Sequence, residues 1–101
     1  MVIVRVSEAL VRPGMVDEFL AVLIALVATF PAQYDGLLDH EVLVDRADRT
    51  RVRYVSRWAE EASLVAYAGE DWATTPVTFP DEDRYLTGPL ELTHFNEVAD
   101  I

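Results

Sequence analysis

The first residues of the chain alternate between apolar and polar positions. Residues 2 to 12 have a period of two, and β-branched side chains are the majority among them. This pattern predicts a β-strand with both faces partly buried, ended by Pro13-Gly14. One face carries Val2, Val4, Val6, Glu8 and Leu10, and the other carries Ile3, Arg5, Ser7, Ala9 and Val11.

The period changes after this stop, because apolar residues from 15 to 30 recur every three to four positions. The acids Asp17 and Glu18 lie in the first turn, where the helix dipole favours them. We therefore predict a helix over residues 15 to 30, with Pro31 limiting its end. The uncharged stretch 19 to 34 has 16 residues. A membrane span needs about 20, so the stretch predicts a buried helix.

Two more extended runs follow. Residues 37 to 44 and 51 to 58 are separated by a polar connection, which predicts a hairpin. A short helix is predicted over residues 60 to 68, ended by Gly69 at a position that favours glycine. The second of these strands places Val52, Tyr54, Ser56 and Trp58 on one face and Arg53, Val55 and Arg57 on the other.

Residues 70 to 89 have a different composition, with three prolines and an acidic trio. They predict an irregular excursion with one helical turn after Pro80. Segments of this length without regular structure often cover a site or form an interface. An alternating strand is predicted over residues 90 to 98, with His94 on the face that we expect to be apolar.

The order of these elements is the βαββαβ pattern of a ferredoxin-like α+β domain, here a single domain over residues 1 to 101. Its antiparallel sheet carries both helices on one face, so the other face needs a cover. A second copy of the chain is the simplest cover, which predicts a homodimer through the face bearing Arg53, Val55 and Arg57. We expect these arginines to pair with carboxylates across the dimer.

Charge and composition narrow the function. Eighteen acids against eight bases give a net charge of −10, which argues against nucleic acid and anionic membranes as partners. The chain has neither cysteine nor lysine, so disulfides, thiolate nucleophiles and Schiff-base lysines are excluded. No export signal is recognised in the opening residues, and a cytoplasmic location is expected.

Three short motifs resemble one known family. They are Pro13-Gly14 after the first strand, Tyr34-Asp35-Gly36-Leu37 opening the second, and Arg57-Trp58-Ala59-Glu60-Glu61-Ala62 after the third. Their order resembles the antibiotic biosynthesis monooxygenase family of the dimeric α/β-barrel group, over about residues 2 to 70. The resemblance implies a homodimer whose two sheets form a barrel, with a pocket in each subunit between sheet and helices. Relatives include cofactor-independent oxygenases of polycyclic phenols, quinol monooxygenases and haem-degrading enzymes, besides members of no known activity.

The chain departs from the family's catalytic patterns in two places. The oxygenases carry an asparagine four residues before the tryptophan, where Tyr54 stands here. Haem-degrading members have a histidine shortly after the second helix, whereas residues 68 to 72 contain none. We expect neither haem, nor a metal, nor another cofactor, because His40 and His94 are isolated in the sequence.

The residues that we expect to contact a substrate lie on the predicted inner face and near it: Trp58, Tyr54, His94, Tyr67 and Trp72. No catalytic residue is assigned. Each of the five expected contact residues also has an alternative structural role. An indole such as Trp58, for example, buries a large apolar area whatever the function. The aromatic residues of the excursion either anchor it or form a lid over a cavity.

Three functions remain open at this point. The first is a cofactor-independent monooxygenase acting on an apolar aromatic, phenolic or quinol-like small molecule. The alternative is a non-catalytic dimeric small-molecule-binding or stress-associated protein of the same fold, because fold does not determine function. A pocket filled by the protein's own side chains would favour a third, a structural association module. A cavity of about 300 Å³ or more beside Trp58 and Tyr54 would favour the first two.

Overall fold

The computed structural model describes residues 1–101 as one antiparallel sheet with helices on one side. The strands are β1 (Ile3–Leu10), β2 (Leu37–Val44), β3 (Arg51–Trp58) and β4 (Glu91–Asn96). The helices are α1 (Val16–Val27), α2 (Phe30–Gln33), α3 (Glu61–Ala68) and α4 (Glu82–Tyr85). The sheet order is β2-β3-β1-β4. This is the ferredoxin-like α+β arrangement, so the predicted fold class is confirmed.

The register of the sheet decides which side chains share its inner face, the face that the helices cover. Arg5 of β1 lies opposite Ser56 of β3 and opposite His94 of β4, and Ser7 lies opposite Tyr54. Directly opposed residues point to the same side of an antiparallel sheet. The pairing therefore places these side chains together on the inner face.

The predicted helix over residues 15 to 30 is two helices. α1 ends at Val27, and α2 begins at Phe30 with Pro31 in its first turn. The predicted end at residue 30 was wrong, since α1 ends at Val27. Pro31 has no N–H to donate to the carbonyl of Val27, so it prevents one continuous helix and instead lies at the start of α2. A proline is favourable at the start of a helix, because its missing N–H would have no intrahelical acceptor there.

The segment Val16–Gln33 is long and apolar enough to cross a membrane by length and composition alone, with a mean hydropathy of 1.6. A single such helix is weak support for a span, because the core helix of a soluble protein meets the same test. In this fold the segment is interrupted between α1 and α2 and packs one side against the core. The buried residues of that side are Val16, Phe19, Leu23, Val27 and Phe30.

The excursion over residues 70 to 89 is irregular apart from α4, which is the predicted helical turn after Pro80. It is packed on the core, because Phe79 and Tyr85 are buried with ring centroids 5.2 and 5.9 Å from that of Phe19. The first and last strands of the chain are both shorter than predicted. β1 ends at Leu10, and β4 covers Glu91–Asn96 rather than residues 90 to 98.

The outer face of the sheet has an apolar centre and charged ends. Val4, Val6 and Val55 are half-buried there, and Phe95 is 56% exposed. At one end Arg57 pairs with the carboxylates of two residues on neighbouring segments, Asp39 at 2.7 Å and Glu97 at 2.6 Å. At the other end Glu8 accepts from Arg51 at 2.7 Å and from Arg53 at 3.4 Å. The expected pairing of Arg53 and Arg57 across a dimer is thus corrected, since the chain supplies their partners itself.

Candidate functional site

A small apolar cavity lies between the inner face of the sheet and α1, closed on one side by residues 77 to 79. Its volume is about 50 Å³, and twelve of its fourteen lining residues are hydrophobic. Phe19, Leu23 and Phe30 contribute the helical wall. The full lining is Ser7, Ala9, Phe19, Leu23, Leu26, Val27, Phe30, Val52, Tyr54, Tyr67, Val77, Thr78, Phe79 and Leu90.

This cavity is smaller than the sequence analysis anticipated. Ligand sites start at about 300 Å³, and an engineered cavity that binds benzene measures about 150 Å³. The observed 50 Å³ holds water-sized molecules only. Three side chains that follow α3 in the chain, Val77, Phe79 and Leu90, line the space. An aromatic ligand therefore fits only if residues 77 to 79, which close one side, move.

Tyr54 connects the cavity to a shallow groove outside it. Its side chain lines the cavity, and its hydroxyl lies 2.8 Å from Nδ1 of His40 on β2. His40 lines the groove together with Ile24 and Val42. Burial raises the pKa of the Tyr54 phenol far above its ordinary value, and the neighbouring Tyr67 adds to the effect. Tyr54 is therefore a neutral phenol at pH 7.

Tyr67 of α3 is the second phenol of the cavity wall, which also contains the hydroxyl residues Ser7 and Thr78. Its ring stacks on Trp58, with centroids 4.8 Å apart and an interplanar angle of 23°. Burial raises the pKa of Tyr67, and the positive charge of Arg5 opposes that shift. Trp58 itself is fully buried, donates from Nε1 to the Ser56 hydroxyl at 2.8 Å, and is absent from the cavity lining. A ligand in the cavity meets Tyr67, and Trp58 lies one ring further away.

Arg5 is the charged residue of the inner face and is only 2% exposed. Nη1 donates to the carbonyl of Trp72 at 2.6 Å and to Nε2 of His94 at 3.1 Å, and Nη2 donates to the carbonyl of Thr75 at 3.4 Å. Its Cζ lies 5.8 Å from the centroid of the Tyr67 ring. Burial lowers the pKa of the guanidinium. No carboxylate pairs with it.

The contact with Arg5 fixes the protonation of His94. A guanidinium only donates hydrogen bonds, so Nε2 of His94 is the acceptor and the ring proton lies on Nδ1. Burial and then the charge of Arg5 lower the pKa of His94, which keeps the ring neutral at pH 7. The Trp72 indole packs edge-on against this ring at 4.9 Å and 85°. Neither His94 nor Trp72 lines the cavity.

The five residues predicted to contact a substrate thus form one connected cluster with two ends. Tyr54 and Tyr67 lie at the cavity, Trp58 supports Tyr67 from behind, and His94 and Trp72 lie at Arg5. Sequence reasoning did not select Arg5 as a site residue, although an arginine in the middle of an otherwise uncharged strand face was a visible signal. It also left out His40, whose contact depends on the hairpin register that places Val42 opposite Tyr54.

No group of three or more histidine, cysteine, aspartate or glutamate side chains is arranged to hold a metal ion. The side-chain donors at the cavity are hydroxyl groups, and the imidazoles His40 and His94 are each engaged with a different partner. The chemistry that the site offers on its own is hydrogen bonding by neutral phenols, proton exchange by imidazole, and one positive charge.

The fold is shared with solved structures. A conserved protein from Methanosarcina mazei Go1 superimposes with a TM-score of 0.77 at 21% identity, covering 96% of this chain and 93% of that one. Rv0793 from Mycobacterium tuberculosis gives 0.76 at 14% identity, covering 99% and 98%. A structure described as an antibiotic biosynthesis monooxygenase gives 0.72 at 19% identity, covering 98% and 100%.

The comparison with curated proteins gives no match. The sequence profile described as antibiotic biosynthesis monooxygenase matches residues 1–73, which include β1, β3, α1 and α3 and hence both tyrosines of the cavity. The family resemblance seen in the sequence is thereby confirmed, and the chain belongs to the antibiotic biosynthesis monooxygenase family.

Proposed function

We propose that the protein is a cofactor-independent monooxygenase of an aromatic, phenolic or quinol-like small molecule. Membership of the family supports a monooxygenase-like or small-molecule-binding role. The observation that carries the finer proposal is the apolar cavity between sheet and α1, with the hydroxyl-bearing rings of Tyr54 and Tyr67 in its wall. An apolar site with a few convergent polar groups is typical of small-molecule binding.

A planar aromatic substrate fits this wall chemically. Its rings pack against Phe19, Leu23 and Tyr67 once residues 77 to 79 have moved. The stack of Tyr67 on Trp58 holds the tyrosine ring in one orientation, which is the part that we assign to Trp58. The phenolic proton of Tyr54 is directed to Nδ1 of His40 in the scheme below, so the Tyr54 oxygen is suited to accept a hydrogen bond from a hydroxyl group of the substrate.

The reaction uses the substrate's own electrons. An anthrone, for example, loses a proton from its methylene carbon, and the resulting anion transfers one electron to dioxygen. The two radicals combine to a peroxide on that carbon, and loss of water leaves a carbonyl group. The balance is CH₂ plus O₂ to C=O plus H₂O, so no external reductant takes part. Excluding water from the site keeps the developing charge near fixed hydrogen-bond donors.

The Tyr54–His40 hydrogen bond provides a route for the substrate proton. In this scheme Tyr54 accepts the proton on its oxygen while passing its own proton to Nδ1 of His40. His40 borders the shallow groove beside Ile24, where the proton is exchanged with water. His40 is one hydrogen bond away from Tyr54, so it acts on the substrate proton through the phenol.

We further propose that the active form is a homodimer joined through the outer face of the sheet. The apolar centre formed by Val4, Val6, Val55 and Phe95 has no cover within the chain. Arg57 and Glu8, at the two ends of this centre, already have partners of opposite charge within the chain. The exposed carboxylates of Glu41 and Glu91 share the face without an ion pair, so a second copy has to leave them in solvent. Interfaces of this kind bury on the order of 2,000 Å² or more.

A second candidate is a non-catalytic small-molecule-binding protein of the same fold. One observation favours it: Tyr54 stands where the oxygenases that the chain resembles carry asparagine. The cavity of about 50 Å³ favours neither ligand-binding candidate and is instead what a structural association module would show. The binding protein would take up its ligand through the same movement of residues 77 to 79 without activating it.

The experiment measures oxygen uptake with anthrone and with 1,4-naphthohydroquinone, above their spontaneous oxidation. The monooxygenase predicts protein-dependent uptake that Tyr54→Phe largely abolishes. The matched control is Tyr85→Phe, because the Tyr85 hydroxyl contacts Glu18 outside the cavity. Ligand-induced thermal stabilisation without oxygen uptake would support the binding protein instead, and the absence of both would reject both candidates.

A further inference from the structure

Arg5 is a buried arginine without an acidic partner. The chain has 18 acidic residues, and seven arginine–carboxylate pairs involve five other arginines, all of them more exposed. Burying a charge is costly unless an opposite charge compensates it. None of the 18 acidic residues pairs with Arg5, so its guanidinium is available for an anion from outside.

The present partners of Arg5 are neutral and replaceable. Two are main-chain carbonyls, those of Trp72 and Thr75, and the third is the neutral ring of His94. Both carbonyls belong to the cover segment, which we define as residues 72 to 79. The cover segment is therefore fastened at its beginning by hydrogen bonds to Arg5.

The same segment closes the cavity at its other end. Val77 lies two residues after Thr75, and Val77, Thr78 and Phe79 line the cavity. Tyr67 lies between Arg5 and the cavity, because its ring lines the cavity and its centroid is 5.8 Å from Cζ of Arg5. Moving the cover segment away would enlarge the cavity and free the donors of Arg5 in one step.

We propose that Arg5 binds the carboxylate of a planar aromatic ligand, which replaces the Trp72 and Thr75 carbonyls and so opens the cover segment. The inference deepens the proposed function, on which it rests, by naming an aromatic carboxylate as the ligand class. Nη1 and Nη2 both donate, and this planar fork matches the two oxygens of a carboxylate. The aromatic part then occupies the enlarged cavity beside Tyr67.

A purely structural role for Arg5 makes a different prediction. If Arg5 only clamps the cover segment, its removal loosens the cover and strengthens the binding of charged and neutral ligands alike. If Arg5 is the anion site, its removal weakens the binding of the charged ligand alone. A ligand pair that differs only in charge separates these roles.

The test measures the dissociation constants of 2-naphthoate and of the isosteric neutral 2-naphthamide by titration calorimetry. The wild-type protein is expected to prefer naphthoate by about tenfold or more, as a charge-assisted bidentate contact provides. Arg5→Met should remove this preference while binding naphthamide at least as well as the wild type. Arg49→Met is the matched control, because Arg49 pairs with the exposed Asp17 away from the cavity and from the outer face of the sheet, and it should leave both constants unchanged.

Arg5→Lys keeps the folded protein testable if Arg5→Met does not fold, because lysine retains the charge and lacks the fork. It should retain only part of the preference. Equal affinity of the wild type for both ligands, or an unchanged preference in the folded Arg5 variants, would overturn the inference and leave the proposed function intact. If the wild type binds neither naphthalene compound, the proposed aromatic site fails as well.

Discussion

The arginines on the two faces of the sheet differ in exposure and in the charge of their partners. On the outer face Arg51, Arg53 and Arg57 are partly exposed, and each pairs with a carboxylate. On the inner face Arg5 is buried and contacts only neutral groups. The outer pairs compensate charge within the chain and leave an apolar patch free for a second copy. The inner arginine lacks that compensation, which fits a face built for an anionic ligand.

The largest expected effect concerns the outer face. Phe95→Glu places two uncompensated charges near each other in a dimer joined through this surface. We expect the dimer dissociation constant to rise by about a hundredfold or more, which corresponds to about 2.7 kcal/mol. Sedimentation velocity over a dilution series measures this change.

Val98→Glu is the control for Phe95→Glu, because Val98 is 95% exposed and follows β4. It adds the same charge outside the patch and should leave the dimer intact. A wild-type protein that sediments as a monomer at micromolar concentration would contradict the dimer altogether.

The next effect concerns the inner face. Trp58→Phe keeps most of the apolar volume but loses the Nε1 hydrogen bond and part of the stack on Tyr67. We expect a loss of about 1 to 2 kcal/mol in the free energy of unfolding and a comparable loss in ligand binding. Urea unfolding and naphthoate titration measure the two. A loss of stability with unchanged ligand affinity would show that the stack does not orient Tyr67.

A smaller effect is expected from the outer charge pairs. Glu8 accepts from Arg51 and Arg53, and both arginines are substantially exposed. Glu8→Gln should therefore cost no more than about 1 kcal/mol in unfolding free energy, and the cost should shrink at high salt. A loss well above this value, unaffected by salt, would mean that the outer charges are less solvated than their exposure indicates.

The smallest effect is a pH dependence from His94. Its pKa is lowered in the folded state by burial and by Arg5, so the unfolded state binds the proton more strongly. Its contribution to stability is present above the unfolded pKa of about 6.5 and is lost as the pH falls below it. His94→Gln, which keeps an acceptor for Arg5, should lose less stability than the wild type between about pH 6.5 and 5. If the unfolding free energies of the wild type and of His94→Gln fall in parallel as the pH is lowered, the neutral, desolvated state of His94 is contradicted.

Much of the fold was predictable because hydrophobic periodicity records burial directly. The alternation in β3 placed Tyr54 and Trp58 on the inner face and the arginines on the outer face, as observed. The end of α1 was not predictable in the same way. Ala28 and Phe30 continue the apolar spacing, so the periodicity does not show that a turn at residues 28–29 separates two helices.

The candidate site was predictable in its residue types but not in its shape. The cavity volume depends on how Phe79 and Leu90 pack, which a periodic pattern does not record. The ion pairs of Arg57 depend on Asp39 and Glu97, which are far apart in sequence and meet only through the strand order. For Arg5 the sequence shows the unusual position, and only the structure shows that no acid reaches it.

The central claim is that an aromatic carboxylate opens the cover segment by taking the place of two carbonyls on Arg5. A crystal structure of the complex with 2-naphthoate tests it most directly. We predict both carboxylate oxygens within hydrogen-bond distance of Nη1 and Nη2 of Arg5, the ring beside Tyr67, and the Trp72 and Thr75 carbonyls displaced. A bound naphthoate that leaves both carbonyls on Arg5 would contradict the claim.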